Sequence, residues 1–75
     1  LAGSATMAEI EQLVKMANQI SDNFSFHDDA VERLTDHLQR FWAPSMRQML
    51  VEYHQAGGGG LKPPVVAAVH RLESN

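Results

Sequence analysis

The sequence predicts an all-α fold: a small bundle of three main helices followed by a short fourth helix. Two observations carry this prediction. Apolar residues recur at spacings of three and four along successive stretches, the pattern of an amphipathic helix. Proline or glycine separates the later stretches, as expected where helices end and restart. No stretch shows the alternation of a strand, and 75 residues suffice for one small domain.

Residues 1–6 (LAGSAT) are interpreted as an expression-vector remnant or a flexible natural N-terminus, and residues 7–75 as a single helical domain. The first helix is predicted over residues 7–23, and Thr6 and Glu9 have the spacing of a capping box. Its apolar positions are Ile10, Leu13, Val14, Ala17, Ile20 and Phe24. A polar connector follows, and we expect Phe24 and Phe26 to fold back onto the core.

The second helix is predicted from about residue 28 to residue 42, with Ser25, Asp28 or Asp29 as its N-cap. Pro44 ends it, because a residue that precedes proline disfavours helical geometry. Its apolar positions are Val31, Leu34, Leu38, Phe41 and Trp42.

Pro44 suits the first turn of a third helix, whose apolar stripe contains Met46, Met49, Leu50 and Tyr53. This helix is predicted to end at a flexible run of glycines, with Gly57 in the left-handed conformation. A short fourth helix is predicted to start at Pro64. Its apolar face comprises Val65, Ala68, Val69 and Leu72. Val51 and Val66 fall outside the stripes, and we expect them to form an exposed patch through which the isolated chain self-associates.

Composition excludes several classes of function. The net charge of −3 disfavours a nucleic-acid-binding module, and no apolar run is long enough to span a membrane. The sequence contains no cysteine, so disulfides, thiolate catalysis and cysteine-ligated metals are excluded. We find no catalytic constellation and no phosphate-binding glycine motif, and therefore predict that the chain is not an enzyme by itself.

The four histidines do not predict a metal site. No two of them are spaced to lie on one helix face, and no HExxH-type motif is present. We therefore expect them to be solvated or to lie at the rim of the core, although a site assembled from separate helices stays open. The four are His27, His37, His54 and His70.

The segment RFWAPSMR, residues 40–47, is the unusual feature of the chain. Tryptophan and arginine are typical anchors of protein interfaces. We predict that Arg40, Trp42, Pro44 and Arg47 form a partner-binding surface, and that Phe41 completes the core.

Three segments resemble a known family. They are KMANQI at residues 15–20, HLQRFWAPSMR at residues 37–47, and the glycine run at residues 57–61 with Pro64, Val65, Ala68, Arg71 and Leu72. Together they resemble the delta subunit of NAD-dependent, molybdenum-containing formate dehydrogenase. The last match is approximate, because Lys62 and Pro63 give an extra residue or an alternative proline.

The resemblance implies a non-catalytic accessory subunit that binds and stabilises, or helps to assemble, a cytoplasmic complex. The large catalytic subunit would be its partner, and Gly57, Gly58 and Leu61 would join the contact surface. The resemblance also implies no cofactor on this chain, with molybdopterin, iron–sulfur clusters and flavin on other subunits. Two alternatives stay open: a free-standing homo-oligomeric or regulatory protein, and a helix-turn-helix nucleic-acid binder using Arg33, Arg40 and Arg47.

Overall fold

A computed structural model describes residues 6–74 of the chain and contains four α-helices. They are α1 (Met7–Asn23), α2 (Ala30–Phe41), α3 (Pro44–Gln55) and α4 (Pro63–Ser74). The described residues contain no strand, so the prediction of an all-α fold is confirmed. Within residues 6–74, no helix has the length and apolar character needed to cross a membrane. The interpretation of residues 1–5 lies outside the described part of the chain.

The start of α1 shows the Thr6 half of the predicted capping box. The Thr6 hydroxyl accepts a hydrogen bond from the Glu9 backbone N–H at 3.1 Å, which satisfies one of the N–H groups that a helix start leaves unpaired. A second contact, of 3.3 Å, joins the Thr6 hydroxyl to the Glu9 carboxylate. Local sequence alone therefore sets the beginning of this helix.

The start of α2 confirms one of the three candidate caps by position but not by the predicted hydrogen bond. Asp29 occupies the N-cap position but makes no side-chain capping bond. Its carboxylate instead accepts a hydrogen bond from Arg33 Nε at 2.7 Å, which lowers the pKa of Asp29 below its usual value. The Ser25 hydroxyl donates to the Asp22 carbonyl at the end of α1.

Helices α3 and α4 both begin at a proline. Pro44 occupies the first turn of α3 as predicted, whereas α4 starts at Pro63 rather than Pro64. Gly57 follows α3 with φ +86°, the left-handed conformation predicted for the helix end.

Helix α4 lies at the centre of the packing and contacts each of the other three helices, most extensively α2. Three of its side chains, Val65, Ala68 and Val69, are fully buried. It has 12 residues, as do α2 and α3, and the first three helices do not clearly form a bundle of their own. The remaining buried apolar residues are Leu13, Ala17, Leu34, Leu38, Trp42, Leu50 and Val51.

Two apolar residues lie where the periodicity did not place them. Val51 is buried, because α3 packs on α4 as well as on α1 and therefore buries two sides. Val51 and Val66 therefore do not form the expected exposed patch. The patch no longer supports self-association of the isolated chain. Phe26 is 92% exposed, because it lies in the turn that connects α1 to α2 and only Phe24 packs against the core.

Candidate partner-binding site

The structure reverses the predicted burial of the two neighbouring aromatic residues at the end of α2. Trp42 is only 5% exposed and belongs to the core, whereas Phe41 is 72% exposed. The reason is the position of α4: α2 packs most closely on α4, which leaves Phe41 at the solvent edge of the apolar arc. The Trp42 side chain therefore cannot serve as the exposed interface anchor that the sequence suggested.

Phe41 is part of a row of rings that we call the aromatic edge, made of Phe24, His27, His37 and Phe41. The His37 and Phe41 ring centroids are 4.8 Å apart. Phe24 contacts His37 at 6.0 Å in an edge-on arrangement and His27 at 6.3 Å. These separations suit favourable aromatic packing. The row joins the α1–α2 turn to the last turn of α2, where the exposed phenyl ring of Phe41 lies beside His37.

Arg47 is a structural residue rather than a free surface cation. Its Nη1 atom donates hydrogen bonds to three carbonyl oxygens at the end of α2, those of Leu38 at 3.3 Å, Gln39 at 2.9 Å and Trp42 at 2.8 Å. The last carbonyls of a helix lack partners within the helix, and a cation is favoured at that end. Arg47 thus joins the first turn of α3 to the last turn of α2.

Arg40 and Pro44 are exposed, as a contact surface requires. Arg40 pairs with Asp36 at 2.9 Å, as Arg33 pairs with Asp29 at 2.7 Å. With Arg47 directed at the end of α2, the three arginines that are spaced seven apart do not form an unpaired basic face. This arrangement counts against the helix-turn-helix alternative, which needs free cations for phosphates.

The glycine loop, residues 56–62, is joined to α1 by hydrogen bonds and an ion pair. The Asn18 amide donates to the Gly60 carbonyl at 2.8 Å, and its oxygen accepts from the Lys62 backbone N–H at 3.0 Å. Lys62 Nζ also binds the Asp22 carboxylate at 2.6 Å. Asn18, part of the KMANQI segment, therefore joins this loop to α1 together with Asp22, a role that sequence spacing did not indicate.

Tyr53 closes over the glycine loop from α3. Its hydroxyl donates to the Gly59 carbonyl at 2.7 Å, while its own backbone carbonyl accepts from the Gly58 N–H at 2.9 Å. The ring covers Gly58 so closely that an added Cβ would lie 2.5 Å from ring carbons. A glycine suits this position because the backbone closely approaches an aromatic ring.

The structure separates the two parts of the predicted contact surface. The α2–α3 corner contains Arg40, Trp42, Pro44 and Arg47, and the glycine loop contains Gly57, Gly58 and Leu61. They lie at opposite ends of α3, which has 12 residues and is therefore about 18 Å long. Leu61 is half-buried against the core, and Gly58 is partly covered by Tyr53.

Replacing Gly58 with alanine is expected to lower the free energy of unfolding by roughly 1–3 kcal/mol, the usual range for overpacking. The added methyl group would displace the Tyr53 ring and break its bond to Gly59. Gly59→Ala is the matched control, because a Cβ there meets nothing within 4 Å. Denaturant unfolding followed by circular dichroism measures both variants. Equal stability of the two would show that Tyr53 moves aside without cost.

The fold also brings together three potential metal ligands that spacing along the chain could not reveal. His54 on α3 and His70 and Glu73 on α4 place one ligand atom each within 4.8 Å of one another. The two imidazole rings lie 5.2 Å apart, edge to face. Spacing along the sequence indicates only part of this ligand set, namely His70 and Glu73, which are three residues apart on one helix.

The comparisons with known proteins identify one family. No individually curated protein and no solved structure gives a significant match. The family model described as NADH-dependent formate dehydrogenase delta subunit FdsD matches residues 12–69, a span that includes α2 and α3 entirely and most of α1. Since the match extends over well more than half of the sequence, the chain belongs to the family of formate dehydrogenase delta subunits.

Proposed function

We propose that this chain is a non-catalytic accessory subunit that binds and stabilises a cytoplasmic NAD-dependent formate dehydrogenase complex. Family membership supports association with such a complex. The observation that carries the proposal is Phe41, a large aromatic side chain that is 72% exposed at the end of α2. Aromatic residues are enriched among the anchors of protein interfaces.

The contact surface that we propose for the large catalytic subunit is the aromatic edge together with Arg40 and Pro44. Phe41 supplies apolar area at its centre, and His37 and Phe24 support the ring from one side. Arg40 lies beside Phe41 in the sequence and is 70% exposed, so it suits the polar rim of an interface. Trp42 and Arg47 contribute indirectly, by holding the corner between α2 and α3.

The redox cofactors belong to other subunits in this proposal. Iron–sulfur clusters are held mainly by cysteine thiolates, and this sequence contains none. Molybdopterin and flavin are assigned to the catalytic and NAD-reducing subunits. The chain's own contribution is a surface for binding, and formate oxidation proceeds elsewhere in the complex.

The Phe41→Ala substitution is expected to weaken binding to the large catalytic subunit by at least about 2 kcal/mol, the loss typical of a central aromatic anchor. Stability of the isolated chain should change little, because the phenyl ring is mostly exposed. Affinity measured by biolayer interferometry, with melting curves of the free variant, separates the two effects.

Met7→Ala is the control, because Met7 is also an exposed large apolar residue. It lies at the opposite end of α1 from Phe24, about 25 Å along the helix. Wild-type affinity for Phe41→Ala would show that the aromatic edge is not the interface. Concentration-dependent dimerisation that Phe41→Ala abolishes, without binding to the catalytic subunit, would favour the free-standing oligomer instead.

A second experiment distinguishes stabilisation from assembly. The complex is purified from cells that lack this chain, and the purified chain is then added. Our proposal predicts that the half-life of formate oxidation at elevated temperature becomes longer while the molybdenum content stays the same. A complex that lacks molybdenum and does not respond to the added chain would indicate an assembly factor.

A further inference from the structure

We propose that His54, His70 and Glu73 bind a divalent transition-metal ion of the zinc class, which would tie α3 to α4. The proposal is independent of the accessory role, since it concerns a different group of residues. His54 lies about 15 Å along α3 from Pro44. Metal binding is therefore a second property of the same chain, which is tested separately from partner binding.

The three side chains form a compact donor set. One ligand atom from each lies within 4.8 Å of the others, and the His70 Nδ1 and Glu73 Oε2 atoms are 3.7 Å apart. Around a tetrahedral zinc ion with bonds of about 2.0–2.2 Å, ligand atoms lie roughly 3.4 Å from one another. The His70–Glu73 pair is already close to that separation. The three side chains are half-buried or exposed, so they have room to rotate towards a shared ion.

The donor types select the class of ion. Two imidazoles and one carboxylate suit Zn²⁺, Co²⁺ or Ni²⁺, whereas Mg²⁺ and Ca²⁺ favour oxygen ligands. Three protein ligands leave one position of a tetrahedral ion to water.

The positions of the three ligands mean that a bound ion would connect two helices. His54 lies one residue before the end of α3, and His70 and Glu73 lie in the last two turns of α4. These helices are joined by the glycine loop, residues 56–62. A bound ion would link the end of α3 directly to α4. Because the folded chain presents the ligands together, binding stabilises it by mass action.

The test is titration of the tag-free, EDTA-treated chain with Zn²⁺ by calorimetry and with Co²⁺ by visible absorption. We expect one equivalent to bind, the absorption bands of four-coordinate Co²⁺ to appear, and the melting temperature to rise. His54→Ala and His70→Ala should each weaken affinity by at least about tenfold. Glu73→Gln tests the carboxylate and should also weaken binding.

The matched control is Gln55→Ala, because Gln55 is exposed, adjoins His54 on α3 and lies outside this group of ligands. It should bind the ion as the wild type does. Circular dichroism at room temperature checks that each variant is folded before it is titrated. The absence of saturable uptake, or equal affinity for the wild type and both His54→Ala and His70→Ala, would overturn the proposal.

Discussion

The Trp42→Ala substitution is expected to lower the free energy of unfolding by about 3–5 kcal/mol, the range for removal of a buried aromatic side chain. Trp42 is only 5% exposed and packs in the core with Leu34, Leu38 and residues of α4. A domain of this size has a small margin of stability, so a large fraction of the variant should be unfolded at room temperature. Far-UV circular dichroism and denaturant unfolding measure the loss.

Phe41→Ala is the control for this substitution, because it removes a neighbouring aromatic ring that is 72% exposed. Its free energy of unfolding should change by less than about 1 kcal/mol, since mostly exposed side chains contribute little to stability. The two variants therefore separate folding from binding. Trp42→Ala should mainly lower stability, and Phe41→Ala should mainly weaken binding to the partner. A Trp42→Ala variant that melts like the wild type would contradict the burial of Trp42 in the core.

Arg47→Ala is expected to lower the free energy of unfolding by about 1.5–3 kcal/mol, the contribution of hydrogen bonds from a charged group. The substitution removes the donor that serves the Leu38, Gln39 and Trp42 carbonyls at the end of α2. Replacement of an exposed helical arginine that makes no such hydrogen bonds would instead leave the free energy of unfolding nearly unchanged. The measurement is urea unfolding of the isolated chain.

Arg40→Ala provides the matched control for Arg47. Among residues 6–74 its guanidinium pairs with Asp36, four residues earlier, and both side chains are more than half exposed. Such pairs contribute about 0.3–0.5 kcal/mol, so Arg40→Ala should leave stability nearly unchanged. Equal losses for the two variants would mean that the carbonyls at the end of α2 are satisfied by water as well as by Arg47.

Much of the local structure could be predicted because its causes are local. The bounds of α1, the Thr6 cap, the start of α3 at Pro44 and the left-handed Gly57 each depend on residues within one helical turn. The start of α2 was predicted less well because Asp29 has a competing partner, Arg33. The choice between a capping bond and an ion pair four residues away depends on side-chain geometry that sequence spacing does not give.

The candidate contact surface was predicted only in part. The segment around Arg40 and Phe41 was singled out, but the buried and exposed aromatics were assigned the wrong way round. Periodicity places both Phe41 and Trp42 within one apolar arc of α2, and it cannot say which edge of that arc a neighbouring helix covers. The sequence predicts a flexible loop at the glycine run, because the hydrogen bonds from Asn18 join positions more than 40 residues apart and leave no local signal.

The sequence by itself determined that this chain is helical, where most of its helices begin and end, and which family it resembles. These properties follow from side-chain spacing, from proline and glycine, and from short motifs, all of which act over a few residues. The tertiary structure decided that Phe41 is exposed, that Arg47 serves the end of α2, and that His54 meets His70. Each of these depends on how α2, α3 and α4 lie against one another, because burial and contact between helices arise from packing across the whole domain.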